Sequence, residues 1–154
     1  MIEIKAPNEV PTLFLAGSIE MGTAENWQQK VVENLDDVNI IIYNPRRDDW
    51  DASWNTTPYN VHLENQIKWE HQHIMYSDYV LFYFDPNTKS PVTLMELGMM
   101  LSHPHKENIV VCCPPQYWRF LNVKTFCDSH NIYWTDGFVD AIDRLYEMIP
   151  NLYK

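Results

Sequence analysis

Six consecutive apolar residues, Tyr79-Val80-Leu81-Phe82-Tyr83-Phe84, run into Asp85-Pro86-Asn87-Thr88-Lys89 and then Ser90-Pro91-Val92-Thr93-Leu94-Met95-Glu96-Leu97-Gly98. This stretch restricts the fold more than any other. A strand with no polar alternation has no face to give to water, so both of its faces must be covered. The residues after it predict a polar turn and a helix: Ser90 is placed to cap, and Pro91 suits the first helical position, where a missing N–H is harmless. A strand-to-helix crossing of this kind is where open α/β sheets bind ligands. Glu96 lies about two turns into an otherwise apolar helix, so its carboxylate is expected to face a sheet edge or cleft.

The same alternation recurs along the chain. Strand-like runs are predicted at 12–16, 39–43, 78–84, 108–113 and 132–135, and helix-like spacing of apolar residues at 23–35, 59–76, 90–102, 117–130 and 137–148. Five strands alternating with five helices predict a doubly wound parallel sheet covered on both faces. With right-handed crossovers, the expected order is flavodoxin-like, 2-1-3-4-5, with the ends of the first and third strands at the switch point. The 154 residues, 45% of them hydrophobic, fit one domain spanning 1–154.

A formal charge of −10 argues against a nucleic-acid polymer as partner, because a phosphate footprint needs clustered Lys and Arg. No apolar run reaches the roughly 20 residues needed to span a bilayer, and no signal-peptide pattern opens the chain, so a cytoplasmic protein with no membrane partner is expected. Cys112, Cys113 and Cys127 form neither a disulfide framework nor a zinc signature and read as reduced core thiols, a catalytic cysteine being the alternative. His71, His73, His103 and His105 lack ligand spacing and read as surface residues; neither a metal nor a cofactor is expected.

Three loops carry candidate chemistry. At the end of the first strand, Gly17 lets backbone approach a ligand and Ser18 can donate a hydroxyl to a sugar or phosphate oxygen, although a ligand-free glycine turn would look the same. The stretch 44–58 is the one long irregular segment. In it Trp50 and Trp54 can stack on a planar base and Arg46 or Arg47 can hold an anion beside Asp49; an ion-paired surface loop is the alternative. In the helix before the third strand, Gln66 and Glu70 sit four apart on one face. A helix antiparallel to its strand brings them toward the crevice that Glu96 enters. Two carboxylates converging on one cleft suit glycosidic chemistry, while a solvated Glu70 remains open.

Taken together, Phe14-Leu15-Ala16-Gly17-Ser18-Ile19, Asn44-Pro45-Arg46-Arg47-Asp48-Asp49-Trp50-Asp51, Gln66-Ile67-Lys68-Trp69-Glu70, Ser90 to Gly98 and Tyr117-Trp118-Arg119-Phe120-Leu121-Asn122-Val123 resemble, in order, the nucleoside 2-deoxyribosyltransferase-like family. The resemblance implies a flavodoxin-like homo-oligomer that cleaves the N-glycosidic bond of a 2'-deoxynucleoside and passes the sugar to another base or to water. By position, Glu96 looks like the family's nucleophile and Glu70 like the residue that contacts the departing base, where classical transferases carry an aspartate. Ser90 stands where those enzymes have a sugar-holding aspartate and where related deoxynucleoside 5'-monophosphate N-hydrolases have a phosphate-contacting serine. Arg119 and Asn122 resemble the segment that completes a neighbouring subunit's pocket; helix-start packing and capping is the plainer reading. The alternatives to a nucleoside transferase are a monophosphate hydrolase and an inactive nucleotide-binding module of the same fold.

Overall fold

The computed structural model describes residues 9–19, 24–47, 49, 51–55 and 57–150, the side chains of residues 52 and 55 excepted. Its elements are β1 (Thr12–Gly17), α1 (Trp27–Asn34), β2 (Ile41–Tyr43), a short 3-10 turn (Ala52–Asn55), α2 (Val61–Tyr76), β3 (Tyr79–Tyr83), α3 (Pro91–Met100), a second 3-10 turn (Lys106–Asn108), β4 (Ile109–Cys112), α4 (Phe120–Ser129), β5 (Tyr133–Thr135) and α5 (Phe138–Met148). The sheet is parallel throughout, in the order β2-β1-β3-β4-β5, as the strand and helix alternation predicts. β1 and β3 form its centre and share a register from Leu13–Tyr79 to Gly17–Tyr83.

Burial follows from the apolar runs. Alternate residues of the central strands feed two cores. Phe14, Ala16, Val80, Phe82, Ile109 and Val111 pack under Ile74 of α2, Leu97 and Met100 of α3 and Val123 and Cys127 of α4. Leu13, Leu15, Leu81, Val110 and Cys112 pack under Trp27 and Val31 of α1 and Ala141, Ile142 and Leu145 of α5. Polar contacts fix the sheet where the strands begin: Thr12 N donates to Asp78 Oδ2 at 2.7 Å and Asp78 N to Thr12 Oγ1 at 3.0 Å. Helix starts follow capping chemistry. Asn60 accepts from His62 N and Leu63 N, so α2 begins at Val61 rather than 59. Asn26 accepts from Gln29 N, so α1 begins at Trp27.

Two expectations are corrected. The helix expected from 117 begins at Phe120, because Tyr117 is tucked beneath Phe84 at a ring separation of 4.9 Å, with its hydroxyl donated to Lys89 O. His73 is not a surface residue: its half-buried ring stacks on Trp69 at 4.5 Å, meets the Tyr43 ring edge-on, and its Nδ1 lies 2.7 Å from Trp69 O. Among the described residues no helix is long and apolar enough to cross a membrane, and no group of three His, Cys, Asp or Glu side chains is placed to hold a metal ion.

Candidate functional site

The C-terminal ends of β1 and β3 lie side by side at the point where strand order reverses, and the loops leaving them build the site. Gly17 permits the close approach. A Cβ there would come within 2.4 Å of Tyr83 O and 2.6 Å of the Trp27 ring, so no larger residue fits without displacing backbone. Trp27 in turn stacks on Tyr83 at 5.0 Å and donates its indole N–H to Ser18 O at 3.0 Å, fixing the first loop where it leaves the sheet.

Beneath the crevice, three hydroxyls converge. Ser18 Oγ accepts from Asp85 N at 2.9 Å and from Thr88 Oγ1 at 2.9 Å, and pairs closely with Ser90 Oγ, which lies 2.8 Å from Thr88 Oγ1. The turn that delivers Thr88 is built by Asp85, whose carboxylate accepts from Asn87 N at 2.8 Å and from Glu25 N at 3.1 Å. Ser90 corrects the capping expectation: it adopts a left-handed backbone, φ 48°, and its side chain makes no cap bond to α3. That conformation carries the hydroxyl to Ser18 and Thr88 instead of to the helix amides. Ser18 and Ser90 are both buried. They serve the floor of the site.

The two acids come from α2 and α3. On α3, Thr93, Leu97 and Met100 are the buried stripe; Glu96 lies three residues after the first and four before the last, at the stripe's margin. On α2, Gln66, Trp69, Glu70, His73 and Ile74 form the inward stripe, so Glu70 faces the sheet rather than bulk solvent. Burial raises both carboxyls. Glu96 is pushed up to about 8, first by burial and then by the Glu70 charge. Glu70 is also raised by burial, but Gln66 Nε2 donates to its Oε1 at 3.2 Å and opposes the rise. Among the described residues no group hydrogen-bonds the Glu96 carboxyl or pairs with it. Of the two carboxyls, Glu96 is therefore the harder to ionise and the one that keeps a proton more readily.

The loop after β2 closes one wall. Arg47 grips Asp49 with two bonds, Nε to Oδ1 at 2.9 Å and NH2 to Oδ2 at 2.8 Å, lies 5.2 Å over the Trp54 ring, and gives NH1 to Gln66 Oε1 at 3.3 Å. Gln66 also donates to Pro45 O at 3.4 Å. Arg46 turns the other way, with NH2 to Ala24 O at 2.7 Å and NH1 to Glu25 O at 3.0 Å and Gln28 Oε1 at 3.4 Å, and so ties this loop to the entry of α1. Trp50 lies outside the described residues.

Gly17, Ser18, Gln66, Glu70, Ser90 and Glu96 are thus brought to one edge of the sheet, with Asp49 reaching it through Arg47. Arg119 and Asn122 are exposed and stand apart: Arg119 lies 4.3 Å over the Trp118 ring, whose N–H donates to Lys89 O at 3.0 Å, just before Ser90. Sequence reasoning left Arg46 and Arg47 as alternatives, of which Arg47 is the one that reaches Gln66, and missed Thr88, Asp85 and Tyr117. The Asp-Pro-Asn-Thr turn could have revealed Asp85 and Thr88, since Asp at its first position and Pro at its second are ordinary turn chemistry.

In solved structures the architecture recurs in a conserved protein from Enterococcus faecalis V583, with a TM-score of 0.66 and 12% identity over 92% of this chain and 100% of that one. At that identity the likeness shows the fold alone. No curated protein matches the chain. The family described as nucleoside 2-deoxyribosyltransferase like matches residues 10–117, from the start of β1 through α2, α3 and β4 to Tyr117, and so takes in both acids and the three loops around them. The chain belongs to the nucleoside 2-deoxyribosyltransferase-like family.

Proposed function

We propose that the protein cleaves the N-glycosidic bond of a 2'-deoxynucleoside and transfers the deoxyribosyl group, through an ester on Glu96, to another base or to water. The observation that carries this reading is the convergence of two half-buried carboxyls, with Glu96 raised by burial and by the charge of Glu70, and Glu70 held by a donor from Gln66. A double displacement needs that inventory: one carboxylate to bond to carbon and one acid to protonate the departing base.

On substrate binding the proton passes from Glu96 to Glu70, which faces the base. The Glu96 oxygen bonds to C1' as the C1'–N bond breaks; the electron pair goes to the base nitrogen, which takes the proton from Glu70. In the second half the acceptor, an N–H of a base or a water, gives its proton to Glu70 as it attacks C1', and Glu96 leaves as the carboxylate. The environment of Glu96 fits a nucleophile whose charge is needed only when an electron-poor anomeric carbon is present to receive it.

A nucleoside fits better than a monophosphate. Ser18 and Ser90 are buried and bonded to each other, to Thr88 and to the Asp85 amide, so neither presents an open hydroxyl to a phosphate, while the neighbouring Asp85 adds negative charge. We also infer that copies of the chain associate: Val92 and Met95 on α3 and Trp118 and Leu121 beside and on α4 are all more than half exposed. The three unpaired, buried cysteines fit a reducing cytoplasm.

The test is product analysis with deoxynucleosides, their 5'-monophosphates and free acceptor bases. Wild type should release base from the nucleoside and form a new nucleoside when an acceptor is supplied. Glu96→Ala and Glu96→Gln should abolish both while the proteins remain folded. Undiminished turnover by Glu96→Ala rejects the ester; a rate that requires the 5'-phosphate rejects the nucleoside.

A further inference from the structure

The guanidinium of Arg47 touches neither acid, yet it sets what one of them meets. Gln66 has an amide with two unlike ends, and which end faces Glu70 decides between a hydrogen bond and a repulsion between two oxygens. In the structure NH1 of Arg47 donates to Gln66 Oε1 at 3.3 Å, which commits the oxygen to that side and leaves Nε2 for Glu70 Oε1 at 3.2 Å and Pro45 O at 3.4 Å. A reversed amide would set its NH2 against the guanidinium and its oxygen against both Glu70 and a backbone carbonyl. Arg47 is itself held in place by the two-pronged grip on Asp49 and by the Trp54 ring, which stacks on His62 at 5.0 Å. Such a planar fork cannot be supplied by lysine.

We propose that Arg47 is a positioning residue of the site, acting through the Gln66 amide to keep a hydrogen-bond donor on Glu70 and so to favour that acid's ionised form. The inference rests on Glu70 and Glu96 being the reacting pair. Among the described residues, the charged groups that bear on Glu70 are Glu96 from α3 and, through Gln66 on its own helix, Arg47 from the loop after β2 with its partner Asp49. Without Arg47, the Gln66 amide is free to turn, Glu70 loses its donor, and its ionised form is less favoured before substrate arrives. With less charge on Glu70 to oppose it, Glu96 is then ionised too early, without an anomeric carbon before it, and the pair is no longer poised.

The experiment is carboxyl-carbon NMR titration of Glu70 in the full free protein, in wild type, Arg47→Met, Arg47→Lys, Gln66→Met and the Arg47→Met/Gln66→Met double variant. Arg47→Met should raise the Glu70 midpoint, Arg47→Lys should restore it only in part, and adding Arg47→Met to Gln66→Met should change nothing further. In turnover the same substitution should lower kcat by about tenfold, the typical effect of one lost bond to a charged group, with KM nearly unchanged. A Glu70 titration that is the same in Arg47→Met as in wild type, or an Arg47→Met effect that persists in full on the Gln66→Met background, overturns the relay. Because the titration needs no turnover, a shifted midpoint in a protein that releases no base upholds the relay and rejects the glycosidic reading instead.

Discussion

Replacing Glu96 by Gln should make the protein more stable at pH 8 than wild type and nearly equal to it at pH 5. In the unfolded chain this carboxyl ionises near its ordinary value of 4.5, while in the folded protein burial, and after it the charge of Glu70, push it up to about 8. Between those values the folded state holds a proton that the unfolded state has lost. The unfolded state therefore binds fewer protons, and stability falls as pH rises, by up to about 1.4 kcal/mol for each pH unit. The stabilising state is fully present below 4.5 and is lost as pH climbs through 8. Integrated from pH 5 to pH 8, this one group should remove about 3 to 4 kcal/mol, on the order of a third of a typical domain's total. Gln is close in shape to the protonated acid and has no charge to desolvate, so the slope due to this position disappears in the variant. Urea unfolding of both proteins at pH 5, 6, 7 and 8 reads the effect of this position together with its coupling to Glu70, because the remaining titrating groups are common to the two. The gap between variant and wild type should widen steadily with pH. A gap of the same size at pH 5 and pH 8 would show that Glu96 ionises freely in the folded protein and is not held protonated by its surroundings.

Gly17→Ala should destabilise the fold by about 1 to 3 kcal/mol and weaken turnover, since the added methyl meets Tyr83 O at 2.4 Å and the Trp27 ring at 2.6 Å in a region where neither can yield; thermal unfolding checks this, and an unchanged melting temperature would contradict the packing. Cys112, Cys113 and Cys127 are buried and each thiol is pushed up to about 12 by burial, with nearby acidic or thiol groups adding to it. An aromatic disulfide reagent at pH 8 should therefore label none of them until denaturant is added, as read from thiolate release; rapid labelling of the native protein would refute their placement.

The fold was legible because its signal is collective. Runs such as Tyr79–Phe84 lack polar alternation, which only a covered parallel strand tolerates, and the segments between them are long enough for crossover helices. The acid pair was legible for a related reason: four-residue spacing puts Gln66 and Glu70 on one stripe, and Glu96 interrupts an apolar one. What escaped was set by single torsions and by contacts distant in sequence. Ser90 has the composition of a helix cap, but its left-handed backbone, φ 48°, sends the hydroxyl to Ser18, 72 residues away. Arg46 and Arg47 are the same residue type in adjacent positions; one ties the loop to the α1 entry and the other reaches Gln66. Tyr117 has a place in the helical apolar pattern, yet its burial under Phe84 holds it outside α4.

The division of labour between floor and wall follows from where hydrogen-bond donors are used. At the ends of β1 and β3 the hydroxyls of Ser18, Thr88 and Ser90 and the amide of Asp85 bond to one another, which makes a rigid support, and among the described residues none of them bonds Glu96. On the wall, Gln66 supplies a donor to Glu70 as well as to Pro45 O. Two acids of similar intrinsic strength are thereby made unequal by one amide, and the like charge of the favoured one completes the difference by holding the proton on its neighbour. A donor introduced beside Glu96 would stabilise its carboxylate in the free protein, yet it would weaken the nucleophile by solvating the charge that must be delivered to carbon. The environments of Glu96 and Glu70 are then a single arrangement, in which the amide orientation at residue 66 favours ionisation of Glu70 while, among the described residues, no donor does the same for Glu96.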